Sequence, residues 1–229
     1  ILQLVDDVDV VALADVSEES LSAAAEELDV STTYFSYKEM LDKANLDAVY
    51  VATPDWFHRD PCIDALEAGC HVIVEKPMTT KQEEAEEILT VVDKTGRKFQ
   101  INFNHRWLSA YHKIKAMIDD GDLGEPVIGY ARKNNPVLVP TSMLASWAED
   151  SSPAWFMSSH DIDLMVWWFG AIPTEVYAKG IKRVLKSKGM DTWDGIQSLV
   201  TFDGGQFATF EAAWIYPNTS PYMPDSYME

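Results

Sequence analysis

Apolar residues in the first hundred positions follow two patterns. Short unbroken runs, Asp9 to Ala14 (DVVALA), Ala48 to Thr53 (AVYVAT) and His71 to Val74 (HVIV), read as strands buried in a sheet, the second of them on both faces. Between them lie stripes at helical spacing. Leu21, Ala24, Ala25 and Leu28 fall at i, i+3, i+4 and i+7 behind a Ser17 cap, with Glu18 and Glu19 near the helix start. Ser36 with Glu39, and Thr80 with Glu83, read as capping boxes. The first opens a helix to about Ala44; the second opens one with the stripe Ala85, Ile88, Leu89, Val92, stopped by Gly96. Asp60 as cap, Pro61 as opening residue and Gly69 as stop frame a helix between the second and third runs. Tyr34 ends a short strand, and Phe99, Ile101 and Phe103 alternate as a last one. Strands alternating with helices predict a doubly wound parallel sheet in an α/β fold.

The pattern changes after residue 106. A helix over Ser109 to Asp120 closes at Gly121, and Pro126 to Lys133 reads as a strand. A long loop without period runs through Trp147, and Ser158 to Phe169 is a helix closed by Gly170. Glu175 to Lys182, Gln197 to Phe202 and Gln206 to Trp214 then follow as strands, the last two joined by the hairpin signal Asp203-Gly204-Gly205. Strands in succession predict an α+β domain with a mostly antiparallel sheet over 107–229, after the parallel-sheet domain over 1–106.

Composition narrows the partners. Eighteen basic against thirty-seven acidic residues leave a charge of −19, a field that repels nucleic acid and anionic membranes. No run reaches the ~20 apolar residues of a membrane span. Two cysteines, Cys62 and Cys70, make no disulfide framework and suggest a reducing, cytoplasmic setting. The chain opens at Ile1 and ends on Ser226-Tyr227-Met228-Glu229 with no closing element in view, so it reads as a fragment cut at both ends.

Ligands of open α/β sheets bind beyond the carboxyl ends of the strands. Two polar clusters fall there, Thr53-Pro54-Asp55-Trp56-Phe57-His58 and Glu75-Lys76-Pro77. Pro77 biases Lys76 toward extended backbone, and Glu75 beside it could hold the ammonium or a sugar hydroxyl; a surface Lys-Glu pair is the plain alternative. His160 opens the later helix, where the macrodipole favours a neutral ring able to accept a proton; alternatively it only caps that helix. Asp163, three residues on, shares its face and could orient the ring or bind substrate. Asp15, after the strand DVVALA, suits an adenosine ribose diol and disfavours a 2′-phosphate. The glycine-rich turn that should precede it lies before the chain begins, and with it the first strand. His71 and His112 read as structural, while His58 and His105 are open either way. No histidine or cysteine spacing suits a metal, and no G-x-S-x-G supports a serine nucleophile.

Ala52-Thr53-Pro54 with His58, Glu75-Lys76-Pro77, Asn104-His105-Arg106 and His160-Asp161-Ile162-Asp163, in that order, resemble the Gfo/Idh/MocA oxidoreductases over essentially the whole chain. The resemblance implies an N-terminal Rossmann domain holding NAD, with NADP possible, and a C-terminal sheet that forms a homodimer or homotetramer interface. It implies oxidation of a secondary alcohol of a sugar or cyclitol, or reduction of the matching ketone. Lys76 would then be the catalytic lysine and His160 the proton acceptor. Thr53, Pro54, Phe57 and His58 would line the cofactor, with Glu75 near its ribose and Asn104 and Arg106 bordering the nicotinamide. Many relatives carry aspartate four residues before the histidine; this chain has Phe156. Two other readings fit the same fold: a non-catalytic NAD(P)-sensing regulator, and an NAD-dependent glycosidase-like enzyme.

Overall fold

The computed structural model describes residues 7–221 and 225–228. It divides into two compact units, 1–53 with 57–101, and 54–56 with 102–229.

In the first unit β1 (Leu13–Ala14) pairs in parallel with β2 (Thr33–Tyr34), and β3 (Ala48–Val51), β4 (His71–Val74) and β5 (Phe99–Ile101) form a second parallel set. Helices α1 (Glu18–Leu28), α2 (Tyr37–Lys43), α3 (Arg59–Glu67) and α4 (Gln82–Thr95) separate consecutive strands. The core lies between α3, α4 and the strands: Cys62, Ala65, Leu66, Val72, Val74 and Ile88 are all but inaccessible. Burying one such aliphatic side chain contributes roughly 1.5–3 kcal/mol. Both cysteines are free thiols in this core, and burial pushes the Cys62 thiol up to about 12.

Several boundaries differ from the sequence reading. Only Leu13 and Ala14 of the first run pair as strand, and β3 is not buried on both faces: Val51 is buried while Ala48 and Tyr50 are exposed. Helix α3 starts at Arg59, so Asp60 and Pro61 lie inside its first turn and neither caps it. The N-cap position of α4 is Lys81, without a side-chain cap, rather than the expected Thr80; in the turn ahead of it the Thr79 hydroxyl accepts from Lys81 N–H and donates to Glu84. Leu89 faces solvent, half exposed, and the buried edge of α4 runs through Ile88, Val91 and Val92.

The second unit is built on one five-stranded sheet, order β10-β6-β9-β8-β7. Its strands are β6 (Ile128–Pro136), β7 (Pro173–Ile181), β8 (Gly195–Phe202), β9 (Phe207–Tyr216) and β10 (Asp225–Met228). All neighbours are antiparallel except β6 and β9. The β8–β9 hairpin turns at Gly205, whose φ of +86° favours glycine. β10 falls where no closing element was in view.

Helices α5 (Ser109–Asp119) and α6 (Ser159–Phe169) pack on one face of this sheet, and α7 (Val184–Ser187) is a single turn. Leu164, Met165 and Trp168 of α6 meet Ala131, Val200, Phe202, Ala208 and Phe210. The approach is close, since a Cβ on Gly129 would lie 2.6 Å from Met165 Sδ. Among the described residues no helix is long and apolar enough to cross a membrane.

Candidate functional site

The first unit gathers its polar groups at the carboxyl ends of parallel strands. After β1, Ser17 N–H donates to Asp15 Oδ1 at 2.7 Å, and the Ser17 hydroxyl caps α1 by accepting from Ser20 N–H. The Asp15 carboxylate is therefore exposed but held by a local turn. After β4, Glu75 accepts from the Tyr50 hydroxyl and from Lys76 N–H, and Lys76 is half-buried before the cis Lys76–Pro77 bond.

His58 joins the loops after β3 and β4. Its Nε2 lies 2.8 Å from the Thr53 carbonyl and its Nδ1 2.8 Å from the Pro77 carbonyl, with the ring 1 % exposed. Carbonyl oxygens only accept, so the ring is taken up in tying Thr53 to Pro77 and so in setting where Lys76 stands. Thr53 Oγ1 is buried with no partner among the described residues. An orphaned hydroxyl, Asp15 and Glu75, each at the carboxyl end of a parallel strand, suit a ligand rich in hydroxyl groups, as a dinucleotide's riboses are. Phe57 is exposed, its ring edge-on to Tyr37.

The second unit gathers different chemistry. The helix carrying His160 starts earlier than the sequence reading placed it. A π-helical turn, Ala154–Ser158, runs directly into α6, and Ser152 caps the joined helix by accepting from Trp155 N–H ahead of Pro153. His160 thus lies well inside a helix, and the macrodipole argument for a neutral ring does not apply. π-turns frequently mark functional sites. His160 is 8 % exposed, and its ring stacks on His105 with centroids 3.7 Å apart and planes 7° off parallel.

Lys133 on β6 donates to Asp161 on α6, and its Nζ lies 3.2 Å from His105 Nδ1. Both members of this ion pair are buried. Burial pulls the ammonium's pKa down and pushes the carboxyl's up, and their contact offsets each shift. A second pair stands beside it in the chain. Arg106 Nε and Nη2 donate to the two oxygens of Asp163 at 2.8 and 2.6 Å, with the guanidinium over the Trp167 ring. Asp163, expected to bind substrate, is thereby committed to Arg106. Asn104 is exposed on the turn Asn104–Trp107. Pro54 is exposed, and its neighbour Asp55 accepts from the buried Ser151 hydroxyl.

The sequence reading missed Lys133 and Asp161, though both carry a signal. Lys133 is a charge on the inward phase of β6, two residues from buried Ala131. Asp161 heads the stripe Asp161, Leu164, Met165, Trp168 at i, i+3, i+4, i+7. A charge in an apolar stripe demands a partner.

Residues 1–103 match the model of the oxidoreductase family with an NAD-binding Rossmann fold, GFO_IDH_MocA, and residues 111–226 match the GFO/IDH/MocA C-terminal domain. The chain is 32 % identical over 193 residues to scyllo-inositol 2-dehydrogenase (NAD(+)) of Bacillus subtilis, covering 82 % of this chain and 53 % of that protein. It is 28 % identical over 211 residues to 1,5-anhydro-D-fructose reductase of Ensifer adhaerens, covering 90 % and 62 %. It therefore spans just over half to three-fifths of the length of these relatives. The crystal structure of myo-inositol 2-dehydrogenase from Lactobacillus plantarum superposes with a TM-score of 0.88 at 25 % identity, over 100 % of this chain and 67 % of that one. With both of its units matched in order, the chain belongs to the Gfo/Idh/MocA family of oxidoreductases.

Proposed function

We propose that this chain is the greater part of an NAD-dependent dehydrogenase acting on a secondary alcohol of a neutral cyclitol or sugar. The observation that carries the substrate class is the charge balance around His160. Lys133 and Arg106, the cations brought near it in sequence or space, are each matched by a carboxylate of α6. With both charges engaged, these two side chains offer no cation to a phosphate or carboxylate, whereas a polyol needs hydroxyl partners and a proton acceptor, with Lys76 kept for the reacting oxygen.

The relatives named as inositol dehydrogenases support the same class. Asp15, Thr53 and Glu75 would hold the dinucleotide at the sheet edge, with Pro54, Phe57, Asn104 and Arg106 bordering it. His58 would serve by fixing the loops rather than by touching the ligand. When bound, NAD supplies the hydride acceptor. His160 takes the hydroxyl proton at its ring nitrogen, and Lys76 stabilises negative charge on the substrate oxygen. Tyr177, Ile181, Leu199 and Phe207 leave apolar surface exposed on the sheet of the second unit, which suits a second copy of the chain.

The test is NADH formation by the full-length protein with myo- and scyllo-inositol and a panel of sugars. His160→Ala and Lys76→Ala should each lower turnover by about 10²–10⁴-fold while NAD still binds. Near-normal turnover in either variant removes that residue from the chemistry. Binding of NAD without turnover by the unmodified protein would favour a sensing role.

A further inference from the structure

We propose that His105 is a positioning residue for His160, held to that task by the buried Lys133–Asp161 pair. The proposal rests on the reading of His160 as proton acceptor. An ammonium only donates, so Lys133 Nζ at 3.2 Å requires His105 Nδ1 to accept and places that ring's hydrogen on Nε2. Asp161, in contact with the ammonium, offsets the burial that pulls its pKa down. His105 is thereby neutral.

That matters because of the stack. Two imidazolium rings 3.7 Å apart and nearly parallel would repel, whereas a neutral ring offers its π-face to a cation. His160 is then the one ring of the two that takes the proton, and its partner's face sets its plane.

Other neighbours agree with this assignment. Tyr111 lies 5.8 Å from His105 by ring centroids, and its phenol is pushed up by burial and by Asp161, so it stays neutral. Asp163 is engaged with Arg106. Phe156, one turn before His160, packs against Trp147 and Trp214, so no carboxylate reaches the ring from that position. Lys133 and Asp161 act from β6 and α6 through His105 instead.

In the full-length protein, His105→Ala should lower kcat for inositol oxidation about ten- to a hundredfold through misplacement of the base. KM for NAD should change less than kcat, because Asp15, Thr53 and Glu75, which would hold the dinucleotide, all lie in the first unit. The solvent deuterium isotope effect on kcat should rise, as proton transfer to a loosened His160 becomes limiting. His105→Phe keeps a ring face but no acceptor for Lys133 and should recover part of the rate. His105→Asn keeps an acceptor for Lys133 without a ring and should not. Loss of folded enzyme lowers a rate without altering its isotope effect, so the two causes separate. An unchanged isotope effect in His105→Ala, with His160→Ala inactive, overturns the proposal and leaves the dehydrogenase standing. No hydride transfer by the unmodified enzyme with any polyol or sugar overturns both.

Discussion

The two units hold their functional groups by opposite means. In the first, backbone does most of the holding: Ser17 N–H on Asp15, Lys76 N–H on Glu75 beside the Tyr50 hydroxyl, and two carbonyls on His58. In the second, side chains hold one another, through Lys133–Asp161, Arg106–Asp163 and the stacked histidines. A backbone-held group sits where its strand ends, so changing its neighbours shifts it little. A group held by charge stands or falls with its partner. The second unit's site should therefore be the more fragile to single substitutions and the more easily rescued by paired ones.

Asp161→Ala gives the largest expected loss of stability. It leaves the Lys133 ammonium buried and unmatched, at a cost of about 3–5 kcal/mol. Lys133→Met with Asp161→Leu replaces the pair by apolar groups and should recover most of that stability, though not the activity, since His105 loses its donor. Urea unfolding of the single and double variants reads both. A double variant as unstable as the single one would mean the pair is held for something other than mutual neutralisation.

His58→Ala comes next. It removes a buried ring that spans the Thr53 and Pro77 carbonyls, for roughly 3 kcal/mol. Because His58 fixes the loop bearing Thr53 and the step bearing Lys76, NAD affinity should fall along with stability. His58→Gln, which restores one donor, should recover part of both. A loss of stability with NAD affinity intact would separate the clip from the dinucleotide edge.

The same contrast explains what could be read from the chain before folding. The parallel sheet was legible because each of its segments declares itself locally, by an apolar run, a cap or a glycine. Its errors are one-position slips, as at Lys81 where Thr80 was the expected cap, or come from counting neighbours that only tertiary structure supplies, as at Tyr50 and Leu89. The second unit's site was legible only in part. His160 stood out by its neighbours in sequence, but its setting is assembled from Asn104–Trp107, β6 and α6, with partners 28 to 57 residues apart. No local pattern states that Lys133 meets Asp161. The π-turn that carries the helix back to Ser152 hid the true start of His160's helix, because an inserted residue breaks the 3.6 period. Ser152-Pro153, a cap followed by proline, was the visible clue.

Asp15 is the smallest of these effects and the most exposed to refutation. One carboxylate oxygen already accepts from Ser17 N–H, which leaves the other for a ribose diol. Asp15→Ala removes both the charge and the turn, whereas Asp15→Asn keeps an oxygen for Ser17 and loses only the charge. If the charge recognises the diol, both variants should weaken NAD about tenfold, near 1.4 kcal/mol, and affect NADP less, since a 2′-phosphate is repelled by the carboxylate they remove. If instead the turn matters, Asp15→Asn should bind NAD normally while Asp15→Ala loses both dinucleotides alike. Titration of the two cofactors against the two variants by isothermal calorimetry distinguishes these outcomes. A backbone-held carboxylate that moved NAD and NADP equally would show that the first unit reads its ligand by shape rather than by charge.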